Sequence, residues 1–174
     1  MKKLVLLICV GLVLLAETAF AQNLNKAITI DPLDFVVSKK INLKYEQMLD
    51  RKNSFTVEFA FDDNQSTAPG FLIGGAYRWY LRHLIPVQTR GVEGFSVAPY
   101  ARIGLYRREL NAETTDNEIG LEIGGEIAYK AILWDCFVIE PMIRLGFRPS
   151  GGSLHATNKG FNPWPGVSIG YAWK

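Results

Sequence analysis

The chain has little that covalent or metal chemistry could use. It holds two cysteines and two histidines in 174 residues. Cys9 lies inside an N-terminal apolar run, too early to be a lipid-modified cysteine. Cys136 is the other, and a lone cysteine closes no internal disulfide. His83 and His155 stand far apart and make no metal-ligand set with Cys136. Beyond residue 21 no apolar stretch approaches the ~20 residues of a spanning helix. Charge of one sign is also missing. Removing Lys2, Lys3 and Glu17 from 19 basic and 17 acidic side chains leaves 17 and 16. That balance offers no electrostatic case for a nucleic-acid partner. There is no phosphate-binding loop: Gly74-Gly75 and Gly124-Gly125 fall inside predicted strands, where small residues relieve crowding.

The first residues have the form of an export signal. Met1 is followed by Lys2 and Lys3, an apolar run from Leu4 to Ala16, and Ala19-Phe20-Ala21. The run is short for a membrane span, and small residues occupy the two positions that a signal peptidase reads. Residues 1–21 are therefore expected to be a secretory signal peptide, cleaved before Gln22. Residues 22–174 are expected to form one domain.

What the chain does have is alternation. In five successive segments between Phe55 and Phe147, the odd positions are apolar, Gly or Pro, and none is charged. The even positions hold the Arg, the Glu and small residues. A period of two means β-strands with chemically opposite faces. The pattern predicts eight strands, at 26–37, 40–48, 54–61, 71–81, 95–106, 118–130, 137–148 and 164–173. In the first strand, Asp31 would break the apolar face, so a bulge at Asp31-Pro32 is expected to restore the alternation. Pro99 and Pro141 occupy matching places in Pro-x-x-Arg-x-Gly repeats, and local bulges are expected there too. Connections 50–53 and 131–135 read as short turns, and 62–70, 107–117 and 149–161 as longer polar loops.

Two folds fit such strands. A soluble β-protein turns its charges to water, whereas a barrel in lipid turns its apolar face outward and its polar face inward. Strands of this length match the ~9–11 residues that cross a bilayer at a tilt. With the even strand count and the alternation of short and long connections, they favour the second fold. Tyr45, Tyr77, Trp79, Phe95, Tyr129, Trp134, Phe137, Tyr171 and Trp173 would make one aromatic belt. Phe35, Phe61, Phe71, Phe147 and Phe161 would make the other.

At this point the chain resembles the small eight-stranded outer-membrane barrels of the OmpA and OmpX type. The resemblance lies in the strand pattern over residues 22–174 and in the last strand. There Gly166, Ile169, Tyr171 and Trp173 are similar to the family's assembly signal, although Lys174 follows the aromatic. The resemblance implies an all-β, antiparallel, up-and-down transmembrane barrel in a Gram-negative outer membrane, with both chain ends in the periplasm. It also implies outer-membrane lipids and the barrel-assembly machinery as partners, and a monomer.

Closing the hairpins about their loop centres sets Arg102 against Glu122, Glu122 against Arg144, and Lys44 against Glu58. Buried charges need such partners. Eight strands enclose just enough space for their own side chains, so a plugged lumen is expected rather than a pore. Lys44, Glu58, Arg102, Glu122 and Arg144 are the structural lumen charges, and no catalytic, cofactor or metal site is expected. The expected function is non-enzymatic: envelope structure, or contact with a surface partner through the longer loops. One alternative is a lipid-modifying enzyme of the outer membrane, with His155 as base near Ser153. Thr157 stands where a serine would be wanted, and no acid follows to orient the histidine. The other is a soluble periplasmic ligand carrier, for which the even face is too rich in Arg and Glu.

Overall fold

The computed structural model describes residues 24–62, 70–82, 91–111, 114–148 and 160–174. The expected signal peptide, His83, Ser153, His155 and Thr157 lie outside the described residues. The order of elements is β1 (Lys26–Ile30), α1 (Pro32–Ser38), β2 (Lys40–Met48), β3 (Asn53–Asp62), β4 (Gly70–Tyr80), β5 (Gly94–Asn111), β6 (Thr114–Leu133), β7 (Phe137–Arg148) and β8 (Gly160–Trp173). Each strand pairs antiparallel with the next, and β1 pairs with β8, so the sheet closes into an eight-stranded up-and-down barrel. Closure removes the free edges of the sheet over the level that β1 spans.

The alternation decides which face goes in. Ile73, Ile103, Leu105, Ile123, Ile127 and Ile143 stand exposed on the outside. Lys44, Glu46, Arg78, Glu126, Lys130, Glu140 and Arg144 are buried inside. Aromatic contacts lie toward the two ends. Tyr45 meets Trp173 at 6.2 Å and Tyr77 meets Trp79 at 5.2 Å near the end that carries the chain termini. Phe61 meets Phe71 at 5.2 Å toward the far end.

Three expectations are corrected. The first strand ends at Ile30, and a helix takes the place of the bulge. Asp31 caps that helix: its Oδ1 accepts from the backbone N–H of Leu33 at 3.0 Å and of Asp34 at 3.1 Å. Pro32 opens the first turn, where its missing N–H costs nothing. Lys39 ends the helix in the left-handed region, with φ 53°, and its N–H reaches back to Asp34 and Phe35 carbonyls.

The second correction concerns 107–117. Most of this segment is strand, because β5 and β6 pair onward as far as Asn111 and Thr114, with a register shift between Glu109 and Asn111. The third concerns the prolines. No bulge forms at either. Ala76↔Tyr100 and Trp79↔Val97 keep one register past Pro99, as do Ala128↔Met142 and Ala131↔Ile139 past Pro141. Each proline instead stays paired with the following strand, opposite Gly125 and Val167, and the two residue pairs missing on the other side mark the lost donor.

The end carrying the termini is closed from within. Leu24, Ala27, Val92, Val138 and Ala172 form a buried apolar cluster with Met48 and Ile132 packed on it. The Val92 N–H donates to the Leu24 carbonyl at 2.9 Å. Gly91 makes this approach possible: its φ is +61°, and a Cβ there would lie 1.7 Å from the Leu24 oxygen. The turn between β2 and β3 at this end is held by polar contacts. Asp50 accepts from the Lys52 N–H at 2.6 Å and from the Asn53 N–H at 2.9 Å. These bonds hold its carboxyl below the ordinary carboxylate range.

Candidate functional site: a packed charged lumen

The barrel interior is the candidate site, and strand parity builds it. β2 brings Asn42, Lys44 and Glu46, β4 brings Arg78 and Tyr80, and β6 brings Glu122, Glu126 and Lys130. β3 adds Glu58, β5 adds Tyr100 and Arg102, and β7 adds Glu140 and Arg144.

Above the apolar cluster, Arg78 and Glu140 form the centre. Arg78 Nη1 donates to Glu140 Oε2 at 3.0 Å and Nη2 donates to Oε1 at 2.8 Å. Arg78 also donates to Glu46 Oε2 at 3.1 Å and to Glu126. Lys130 reaches Glu46 and lies 2.9 Å from Glu140 Oε2. Glu46 Oε1 accepts from Ser54 Oγ at 2.5 Å and from Tyr80 Oη at 2.6 Å. Lys44 Nζ donates to Glu140 at 2.8 Å.

A second level lies toward the far end. Arg144 Nε donates to Glu126 at 2.6 Å, and its Nη2 donates to Glu58 Oε2 at 2.9 Å. Arg102 Nη2 donates to Glu58 Oε1 at 2.5 Å. Asn42 Nδ2 donates to the same oxygen at 2.6 Å and to Asp34 of α1 at 3.2 Å. Tyr100 Oη donates to Glu122 at 2.8 Å, and the guanidinium carbons of Arg102 and Arg144 lie 5.3 and 5.8 Å from its ring centre.

The five residues expected from sequence all point inward, but they are partnered differently. Arg102 stands opposite Glu122, and Lys44 opposite Glu58, in the backbone registers expected. Arg144 stands opposite Glu126, which corrects its expected place opposite Glu122. The β6–β7 connection is residues 134–136, centred on Asp135 and not on residue 133, the middle of 131–135. Trp134 and Asp135 take positive φ, 49° and 63°, a backbone conformation that a tryptophan does not advertise. Side chains cross the lumen as well as pairing along the wall, where Arg144 meets Glu126. Lys44 turns to Glu140, while Glu58 takes Arg102 and Arg144.

Sequence reasoning did not assign the most buried members, Arg78, Glu46, Lys130 and Glu140. All four are at even positions, so parity already marked them as inward. What it could not show is that an eight-stranded barrel is narrow enough for long side chains to meet across it.

No protein-family model and no curated protein matches the sequence. Among solved structures, the N-terminal β-barrel domain of Pseudomonas aeruginosa OprF is similar, with a TM-score of 0.51 and 10% identity. The match covers 87% of this chain and 98% of that domain. The chain has the fold of that barrel. The expected resemblance to small eight-stranded barrels therefore holds at the level of the fold.

Proposed function

We propose that this chain is a non-enzymatic outer-membrane β-barrel protein with a plugged lumen, serving envelope structure or surface contact at its far end. The observation that carries this reading is the inverted polarity of the barrel. Large apolar side chains stand exposed around the outside, while the side chains of Arg78 and Glu140 are 0% exposed within. In water that arrangement leaves an apolar wall uncovered and buries charges; in lipid both faces are satisfied. The similarity of fold to an OprF barrel domain supports the same location.

The lumen's role is structural. Five carboxylates (Glu46, Glu58, Glu122, Glu126, Glu140) meet five cations (Lys44, Arg78, Arg102, Lys130, Arg144), and these ten side chains fill the interior with mutual partners, with Asp31 and Asp34 also buried. A ligand carrier would need an apolar interior, and this one is filled with ion pairs.

Fractionation of cells expressing a tagged chain tests the proposal. The protein is expected in the outer-membrane fraction, migrating faster on gels before boiling than after. Recovery in the soluble periplasmic fraction, with one mobility throughout, would overturn it.

A further inference from the structure

The barrel wall is not strand all the way round. β1 stops at Ile30, opposite Leu43 of β2 and Ile169 of β8. Beyond that level β2 continues to Lys40 and β8 to Gly160 with no β1 between them. A single bond carries on from β1, the Asp31 N–H to the Asn42 carbonyl at 3.2 Å. Pro163 and Pro165 lie in this half of β8, each paired with β7 alone. A strand with one neighbour tolerates prolines, since a lost donor on the free side breaks no ladder. Helix α1 fills the seam and packs on both β2 and β8.

The composition of α1 shows which side it turns outward. Its sequence is Pro-Leu-Asp-Phe-Val-Val-Ser, with one charge. A helix facing water exposes its charge and hides its apolar groups. This one does the opposite. Asp34 is buried against Asn42, whereas Phe35, Val36 and Val37 are 57%, 75% and 67% exposed. The patch continues into exposed Ile30 and Ile41 on the neighbouring strands, and so joins the apolar belt of the barrel. Lys39, exposed just after the helix, can hold its ammonium at the headgroups.

We infer that α1 is a wall element seated in lipid: Phe35, Val36 and Val37 lie among acyl chains of the far leaflet, and this contact closes the seam between β8 and β2. The inference rests on the outer-membrane reading and adds a helical contact with the bilayer. Lipid is the occupant because the patch is continuous with the belt that the same lipid covers.

Spin labels test it, placed singly at Val36, Ile127 and Arg51 in a Cys136→Ala background. The protein is reconstituted in phosphatidylcholine vesicles, and collision with oxygen is compared with collision with a water-soluble nickel chelate. The Val36 label is expected to favour oxygen over nickel several-fold, as at Ile127, with Arg51 showing the reverse. A Val36 label that behaves like Arg51 beside a lipid-exposed Ile127 overturns the inference and leaves the barrel reading standing. A Val36 label shielded from both reagents overturns it in favour of a protein occupant such as a second copy. Nickel access at Ile127 overturns the membrane reading itself.

Discussion

Arg78 and Glu140 meet through two parallel hydrogen bonds, at 3.0 and 2.8 Å, with both side chains wholly buried. The pair joins β4 to β7 across the lumen, where no backbone ladder runs. Removing Arg78 alone leaves Glu140, Glu46 and Glu126 facing one another with too few cations. Arg78→Met is expected to cost about 3–5 kcal/mol, the range for breaking a buried pair from one side. Arg78→Met with Glu140→Leu should cost less than the single change, because one uncompensated charge leaves with its partner. Urea unfolding of the vesicle-inserted protein, followed by the heat-sensitive gel mobility, measures both. A double variant as damaged as the sum of the two singles would show that the residues do not act as a pair.

The two adjacent glycines of β6 make a sharper test of lumen packing. A Cβ at Gly124 would lie 2.2 Å from the Leu145 carbonyl oxygen and 2.9 Å from the Tyr100 ring, whereas at Gly125 the nearest atom is 4.0 Å away. Gly124→Ala should destabilise the barrel by roughly 1–3 kcal/mol or block insertion. Gly125→Ala should stay within about 0.5 kcal/mol of the parent. Equal effects in the same unfolding assay would contradict the inward and outward assignment of these positions.

Much of this was legible in the chain, and the reasons for the rest are physical. Parity survives any tertiary arrangement, because a strand cannot turn residue 102 inward without turning 103 outward. That is why Arg102 and Ile103 were placed correctly from sequence. Helix α1 was hidden because Leu33, Phe35 and Val37 continue a period of two across seven residues that are in fact helical. The better signal was Asp31-Pro32, a capping residue followed by a first-turn proline. Arg144 was set against the wrong carboxylate because hairpin register depends on the turn, and Trp134-Asp135 does not have the composition of the turn it makes. The exchange of partners across the lumen depends on barrel diameter, which no local pattern records.

The cap of α1 carries its own consequence. Asp31→Ala removes the acceptor of two backbone donors and should cost about 0.5–2 kcal/mol. Asp31→Asn keeps an acceptor oxygen and should lose less. If α1 seals the seam, limited proteolysis of the vesicle-inserted Asp31→Ala protein should cut first between residues 31 and 39. Unchanged cleavage in that segment would show that the cap does not hold the helix.

The one cysteine of the barrel gives a prediction with pH. Cys136 lies in the β6–β7 turn, where burial, and then the charge of Asp135, push its thiol pKa up. The thiolate is the reactive form, so a raised pKa leaves less of it at any lower pH. Maleimide labelling at pH 8 should be slower than for a free thiol, and its rate should still be climbing where a free thiol has levelled off. Asp135→Asn removes the second cause, and Asn accepts the positive φ, so labelling should speed up without unfolding. A rate indistinguishable from the parent would remove Asp135 as a cause.

The inverted barrel requires that, from β2 onward, odd positions face lipid and even positions face a packed charged interior. A spin-label scan from Ile139 to Phe147 along β7, in a Cys136→Ala background and in vesicles, tests this most directly. Oxygen accessibility should rise and fall with a period of two, with maxima at 139, 141, 143, 145 and 147 and minima at 140, 142, 144 and 146. Maxima at the even positions, or a flat profile, would contradict the inverted barrel.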